Sequence, residues 1–460
     1  MTPLPRLMIS AAHKSSGKTV ISVGLAAALA RTGTSVAPFK KGPDYIDPMW
    51  LSLAAGTPCY NLDFNVMAHD AISELLRARS SGRDLALVEA NKGLFDGVAA
   101  DGSDCNAALA RLLDLPVVLV IDTVGMTRGI APLLLGYQAF DPGVHIAGVI
   151  LNKVGGTRHE GKLRAAVETH TDLPVLGAIT RDRALEIGER HLGLTTPGET
   201  AGQDAVVDRI AQIVGRSVDL EALKSLADSA PAMAPAPPAP PPPGNGGDLR
   251  IAIARDAAFG FYYPDDLGAF RAGGAQLVAI DMMRDQSLGD VDALFIGGGF
   301  PELHAAQLSA NTALMGDIRT ALDAGLPCYA ECGGLMYLCQ SLSRGGDTWP
   351  MVGAIPGDAV MHDRPQGRGY VSFTPSGDHP WGGTDKPVPA HEFHYAGIEN
   401  LPPSLRTAWN MTRGHGIDGA RDGIVVNNTL AGFSHMRSTA ANPWVYRFLD
   451  FVRTRRKHRP

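Results

Sequence analysis

Two groups of residues in this sequence have the types and spacing to do chemistry, and they lie far apart along the chain. The first is Tyr329-Ala330-Glu331-Cys332-Gly333-Gly334-Leu335, which sets one cysteine among small residues directly after the apolar run Gly325–Tyr329. A strand that turns sharply into a helix presents such a side chain at the tip of the turn, and small flanking residues such as Ala330 and Gly334 allow the bend. The next amide, on Gly333, then opens a helix, where it stabilises a thiolate and later an oxyanion. Most cysteines are small core residues; the surrounding glycines make Cys332 a nucleophile. A nucleophile needs a base, and His435, at the end of the apolar run Leu430-Ala431-Gly432-Phe433-Ser434, is the candidate proton shuttle. The glycine-rich turn Gly297-Gly298-Gly299 follows a predicted strand, so Gly299 offers a second oxyanion amide. His391 and His394, in Ala390-His391-Glu392-Phe393-His394-Tyr395, read as lining a substrate or an interface, with plain packing as the alternative.

The second group opens the chain. Leu7–Ser10 is a predicted strand, Ala11–Thr19 a loop, and Val20–Ala30 a helix; strand, loop and helix joined by Gly17-Lys18-Thr19 wrap backbone N–H groups around phosphates. Ser15, Ser16 and Gly17 form the loop, Lys18 reaches the β- and γ-phosphates, and the Thr19 hydroxyl holds Mg²⁺. Ala12 replaces the first glycine of the full motif. Further carboxylates are expected at the metal. Glu89 ends the predicted strand Leu85–Glu89, and Asp96, in Gly93–Gly97, is a looser candidate. The run Lys40-Lys41-Gly42-Pro43-Asp44-Tyr45-Ile46-Asp47-Pro48 puts two cations and two acids close together. Asp44, Tyr45 and Asp47 are expected at the acceptor substrate, with Asp47 also a metal candidate; a turn capped by its prolines is the alternative. Asn152 and Lys153 end the predicted strand Ile146–Lys153, where a nucleotide base or phosphate is contacted.

The elements that must position these groups belong to two globular parts. At 460 residues the chain is long enough for two domains or more. Residues 230–247 are a Pro/Ala run closing in Gly-Asn-Gly-Gly, a composition that buries no core and acts as an extended spacer. That gives a first domain over 1–229 and a second over 248–460, the latter starting with the strand Leu249–Ala254. In each part short apolar runs alternate with helical stretches, the pattern of parallel α/β sheets. Hydrophobic residues make up 45% and charged residues 19%, which fits a soluble protein with sizeable cores. No apolar run approaches the roughly 20 residues of a membrane span, and Met1–Ile9 is too short an apolar stretch for a signal peptide, so a cytoplasmic location is expected. Five cysteines without CxxC spacing point to neither disulfides nor zinc. A net charge of −6 gives no support to nucleic-acid binding, and the basic end Arg453–Arg459 reads as a solvated tail.

The order and spacing of Cys332 and His435 resemble a class I glutamine amidotransferase domain, in which the cysteine attacks the side-chain amide of L-glutamine. Such domains usually carry a carboxylate two residues after the histidine; here that position is Arg437, so the orienting group is missing or comes from elsewhere. Longer runs resemble the cobyrinate a,c-diamide synthase family over essentially the whole chain outside the spacer. They are Lys41–Pro48, Asn61-Leu62-Asp63, Gly93–Gly97, Leu151–Val154, Arg181-Asp182, Glu189–Leu194, Gly298–Leu303, Ala330–Tyr337 and His391–His394. The resemblance implies a dethiobiotin-synthetase-like first half, with ATP and Mg²⁺ as cofactors. It further implies ATP- and glutamine-dependent amidation of the a and c acetate carboxylates of a cobalamin-precursor tetrapyrrole through an acyl phosphate. Members of the family often pair, which allows a homodimer. Three departures, His13–Gly17, Glu89–Gly93 and Met436–Thr439, resemble a sister branch that amidates sirohaem or sirohydrochlorin, the alternative macrocycle. A ParA/MinD-type switch is excluded by His13 at its signature lysine position and by the Cys/His half.

Overall fold

The computed structural model describes residues 3–190, 193–235, 248–384 and 386–457. From residue 236 onward the expected spacer lies outside the described residues, as do His191 and Leu192. The chain divides into two compact units, Met1–Pro240 and Pro241–Pro460.

In the first unit seven strands form one sheet: β1 (Arg6–Ala11), β2 (Val36–Lys41), β3 (Tyr60–Leu62), β4 (Leu85–Glu89), β5 (Val117–Asp122), β6 (Ile146–Val154) and β7 (Val175–Thr180). Their order is β3-β2-β4-β1-β5-β6-β7, and every pairing is parallel. Every residue of β1, β2 and β4 is buried. Strands covered on both faces read as continuous apolar runs, which is why the three strands expected here, Leu7–Ser10, Leu85–Glu89 and Ile146–Lys153, lie where the sequence puts them, to within a residue. Helices α1 (Lys18–Arg31), α2 (Ile46–Ala55), α3 (His69–Ser80), α4 (Asn106–Leu112), α5 (Ile130–Phe140), α6 (Thr157–His170) and α7 (Gln203–Ser217) cover it. Ile72 of α3, Leu109 of α4, Leu134 of α5 and Leu163 of α6 share one core with Ala37, Phe39 and Val88. Helices α2 and α7 pack on α1. The strand order reverses at β1, so its C-terminal edge opens onto the crevice where α/β sheets bind ligands.

The second unit is built around nine strands: β8 (Leu249–Ala254), β9 (Ala275–Ile280), β10 (Ala293–Ile296), β11 (Cys328–Glu331), β12 (Gly367–Pro375), β13 (Val388–His394), β14 (Arg406–Arg413), β15 (Arg421–Val426) and β16 (Thr429–Gly432). The order is β9-β8-β10-β11-β16-β15-β14-β12-β13. The sheet is parallel from β9 to β16, as the alternating pattern implies. From β16 onward it is antiparallel, which corrects the expectation of a parallel sheet throughout. The reason is local: only Asn427-Asn428 joins β15 to β16, Asn427 sits at φ 51°, and so short a connection can join only antiparallel strands. Helices α8 (Pro264–Ala272), α9 (Thr312–Asp323), α10 (Gly333–Leu338) and α11 (Trp444–Arg456) complete the layers. Leu314, Ile318 and Leu322 of α9 pack with Leu335 of α10. Phe270 of α8 packs with Trp444, Phe448 and Leu449 of α11. All five cysteines are free and buried. Among the described residues no helix is long and apolar enough to cross a membrane.

Candidate active sites

The loop between β1 and α1 is braced from β6. Asn152 Nδ2 donates to the Ser16 carbonyl at 2.8 Å, and Lys153 Nζ donates to the Ser15 carbonyl at 3.1 Å and to Asp122 at 2.7 Å. Both residues expected at the nucleotide therefore reach the phosphate loop, through bonds that fix its backbone. Ser16 turns its hydroxyl to the His13 carbonyl at 2.8 Å. Ala12, where the motif has glycine, has its carbonyl held by Tyr137 Oη at 2.6 Å.

Thr19, Asp47 and Glu89, the three residues expected at a metal, meet in one place. Thr19 Oγ1 donates to Glu89 Oε1 at 2.7 Å and lies 3.2 Å from Asp47 Oδ2. Lys40 joins them from β2, its Nζ 2.5 Å from Asp47 and 2.8 Å from Glu89, and Lys18 Nζ stands 3.9 Å from Glu89. Burial alone would strip Lys40 of its proton, but Asp47, Glu89 and Asp44 outweigh it and hold its pKa above the ordinary lysine value. Lys18, with Lys40 close by, is pulled down by burial. Burial also disfavours charge on Asp47, yet Lys40 keeps that carboxyl below its usual range. Asp44 is pushed up to about 7 by burial and by Asp47 beside it. Its Oδ1 accepts the Asp47 amide at 3.1 Å and Asn61 Nδ2 holds its carbonyl at 2.8 Å, so the Asp44–Asp47 turn is rigid where it enters α2. Tyr45, between the two acids, is buried. Asp96 instead accepts the Gly93 amide at 3.0 Å.

Among the described residues no three His, Cys, Asp or Glu side chains could hold a metal by themselves. Mg²⁺ asks for less: one or two carboxylates, with phosphates and waters supplying the rest. The set fits that ion, and Glu89 Oε2, buried and without a hydrogen-bond partner among the described residues, is a donor left over for it.

In the second unit Cys332 sits between β11 and α10 at φ 48° and ψ −102°, a strained conformation for any residue but glycine. The turn has the strained strand-to-helix geometry expected of Cys332, and crowding surrounds it: a Cβ on Gly334 would run into the Ile296 carbonyl. His435 follows β16, whose Gly432 pairs with Glu331 and accepts the Cys332 amide at 2.8 Å. His435 lies close under Gly298, where a Cβ would stand 2.8 Å from its Cε1. The amide nitrogen of Gly299 lies 3.1 Å from the point where Gly333 would carry a Cβ, so the two expected oxyanion amides come to one place.

Glu331 supplies the orienting carboxylate that the sequence left without an owner. Its Oε2 lies 3.3 Å from His435 Nδ1, and its Oε1 accepts Tyr329 Oη at 2.7 Å and the Met436 amide at 3.0 Å. Burial works against a proton on His435, but its bonds to Cys332 and Glu331 prevail and raise its pKa to about 10. His391 stacks on the His435 ring with centroids 4.9 Å apart, and burial, then His435, push it well below the ordinary imidazole value. His394 turns inward, its Nδ1 2.7 Å from the Ala396 carbonyl and its ring on Phe433. Arg437 points to α8, where Nε bonds Asp265 at 3.0 Å and the guanidinium covers Tyr263. A buried acid ending an apolar strand was the one signal that could have found Glu331.

Residues 7–194 match the model of a CobQ/CobB/MinD/ParA nucleotide binding domain, and residues 250–443 that of a CobB/CobQ-like glutamine amidotransferase domain. Over 457 residues the chain is 44% identical to the cobyrinate a,c-diamide synthase of Magnetococcus marinus, covering 98% of both chains. It is 40% identical over 465 residues to the cobyrinate a,c-diamide synthase of Methanosarcina acetivorans, covering 95% of this chain and 93% of the relative. It is also 40% identical over 432 residues to the hydrogenobyrinate a,c-diamide synthase of Brucella anthropi, covering 93% of this chain and 97% of the relative.

Proposed function

Because the chain belongs to the cobyrinate a,c-diamide synthase family, we propose that it amidates the a and c acetate carboxylates of a cobalamin-precursor tetrapyrrole with ATP and L-glutamine. The observation that carries this reading is the pairing, in one chain, of a carboxylate-flanked phosphate loop with a Cys332–His435–Glu331 centre. In the second unit the Cys332 sulfur attacks the glutamine carboxamide carbon. The Gly299 and Gly333 amides steady the oxyanion. His435, oriented by Glu331, hands its proton to the departing ammonia, and water then releases glutamate from the thioester.

In the first unit an acceptor carboxylate attacks the γ-phosphorus of ATP, ADP leaves, and ammonia displaces phosphate from the acyl phosphate. Ser15, Ser16 and Gly17 wrap the phosphates, Asn152 and Lys153 hold the loop in shape, and Lys18 offsets the charge that spreads over the transferring group. Asp44 and Tyr45 position the acceptor. Thr19, Asp47 and Glu89 would hold Mg²⁺, which supplies charge neutralisation at the β- and γ-phosphates. Of the two macrocycles the corrinoid is retained, since the relatives above are named for cobyrinate and hydrogenobyrinate.

The test is mass spectrometry after incubating the purified protein with MgATP, glutamine and either cobyrinic acid or sirohaem in parallel. Replacement of two carboxyl OH groups by NH₂ on the corrinoid is the expected result. Amidation of the sirohaem-type ring alone would overturn the choice of substrate.

A further inference from the structure

Lys41 closes β2 one residue after Lys40, and the alternation of a strand sends the two ammonium groups to opposite faces of the sheet. Lys40 joins Thr19 and the acids beside the phosphate loop. Lys41 continues the row Ala37–Phe39, which packs into the core with Val88, Leu94 and Cys105. It is only 4% exposed, and among the described residues it makes no hydrogen bond and no ion pair. The charged groups near it are Asp104, Asp63 and Lys92, with the Cys105 side chain beside them. Both oxygens of Asp104 already accept the Val98 amide, at 3.0 and 3.1 Å, and Asp63 Oδ1 accepts the Asn65 amide at 3.0 Å. A largely buried lysine without a partner is costly, and burial accordingly pulls its pKa down.

A second orphan lies at the edge of the neighbouring strand. Asn91, just past β4, has its amide held by Asn106 Oδ1 at 3.1 Å, while its own side-chain oxygen is buried with no partner. A side-chain amide can turn either its donor or its acceptor end to a ligand. Lys41, and Asn91 once its Nδ2 is turned inward in place of the unpaired oxygen, suit an anion, and the phosphates of a nucleotide belong to the loop across the sheet. We propose that Lys41, assisted by Asn91, binds a carboxylate of the acceptor tetrapyrrole other than the one being phosphorylated. The assignment rests on the function proposed above. It gives a polycarboxylate two grips, a reacting carboxylate beside Lys18 and Lys40 and a neighbouring one on the opposite face, so that Lys41 is a specificity-determining residue.

The experiment uses the purified full chain with ammonium chloride in place of glutamine, which removes the Cys332 centre from the measurement. Lys41→Met keeps most of the length of the side chain and discards its charge. The KM for cobyrinate is expected to rise about tenfold to a hundredfold, the range for a hydrogen bond to a charged group, with the KM for ATP unchanged and Lys41→Arg losing less. Titrating corrinoid absorbance against protein should show the same loss in Kd without turnover. An unchanged KM and Kd for cobyrinate, or an equal rise in the KM for ATP, would overturn the assignment. Should Lys41→Met not fold, Asn91→Asp sets a like charge against the ligand: a raised cobyrinate KM supports the site and an unchanged one overturns it. Wild-type protein that leaves cobyrinate unamidated would overturn the proposed function, and the site with it.

Discussion

The proton on His435 is held from two sides, by the sulfur of Cys332 and the carboxylate of Glu331, against the cost of burying a charged ring. A pKa raised from the ordinary 6.5 to about 10 is also a statement about stability. The contribution is fully present below pH 6.5, shrinks as pH rises, and is gone above about 10. Glu331→Gln removes one of the two partners that hold the proton there. Thermal melts of wild type and variant across that window should show the variant gaining less stability toward low pH and losing it at a lower pH than wild type; identical pH dependence would mean that Glu331 does not support the imidazolium. Glutamine-dependent kcat should fall about a hundredfold or more, while ammonia-dependent amidation is kept. Cys332 and His435 were legible because small residues around a cysteine and a lone downstream histidine form a local pattern. Glu331 was not, because neighbours in a strand face opposite ways. The φ of 48° at Cys332 breaks that alternation and turns both side chains toward one imidazole.

Between β11 and α10 the elbow survives only because Gly334 leaves room for the Ile296 carbonyl. Gly334→Ala is therefore expected to cost about 1–3 kcal/mol, the usual range for overpacking. It should abolish glutaminase turnover by shifting Cys332 and leave the nucleotide site intact. A chemical denaturation series with both half-reactions assayed would check this, and full glutaminase activity would show that the elbow tolerates a methyl group. The elements of the first unit could be read from the chain because each parallel strand is a short apolar run whose burial on both faces needs no knowledge of its partner. In the second unit the antiparallel strands β12 and β14 carry mixed, partly exposed sequences, and the more buried β13 and β15 are interrupted by polar and charged residues such as His391, Glu392 and Asp422. Their place is fixed by long-range pairing and by one two-residue turn, and neither leaves a periodic trace.

Each unit of the molecule has its own core, and domains so built can unfold on their own. Calorimetry is expected to resolve two transitions. A non-hydrolysable ATP analogue with Mg²⁺, at a hundred times its Kd, should stabilise only one of them, by about 2.7 kcal/mol. One transition moving as a whole would show that the units melt together. The place of β16 has a further consequence. Of the nine strands in its sheet it is the last in sequence, yet it lies in the interior between β11 and β15 and leads directly to His435. During synthesis, when domains fold from the N-terminal side at about 5–20 residues per second, the nucleotide-binding unit is complete while the middle of the second sheet is still missing. A half-made chain can therefore have a place to consume ammonia but no means to release it.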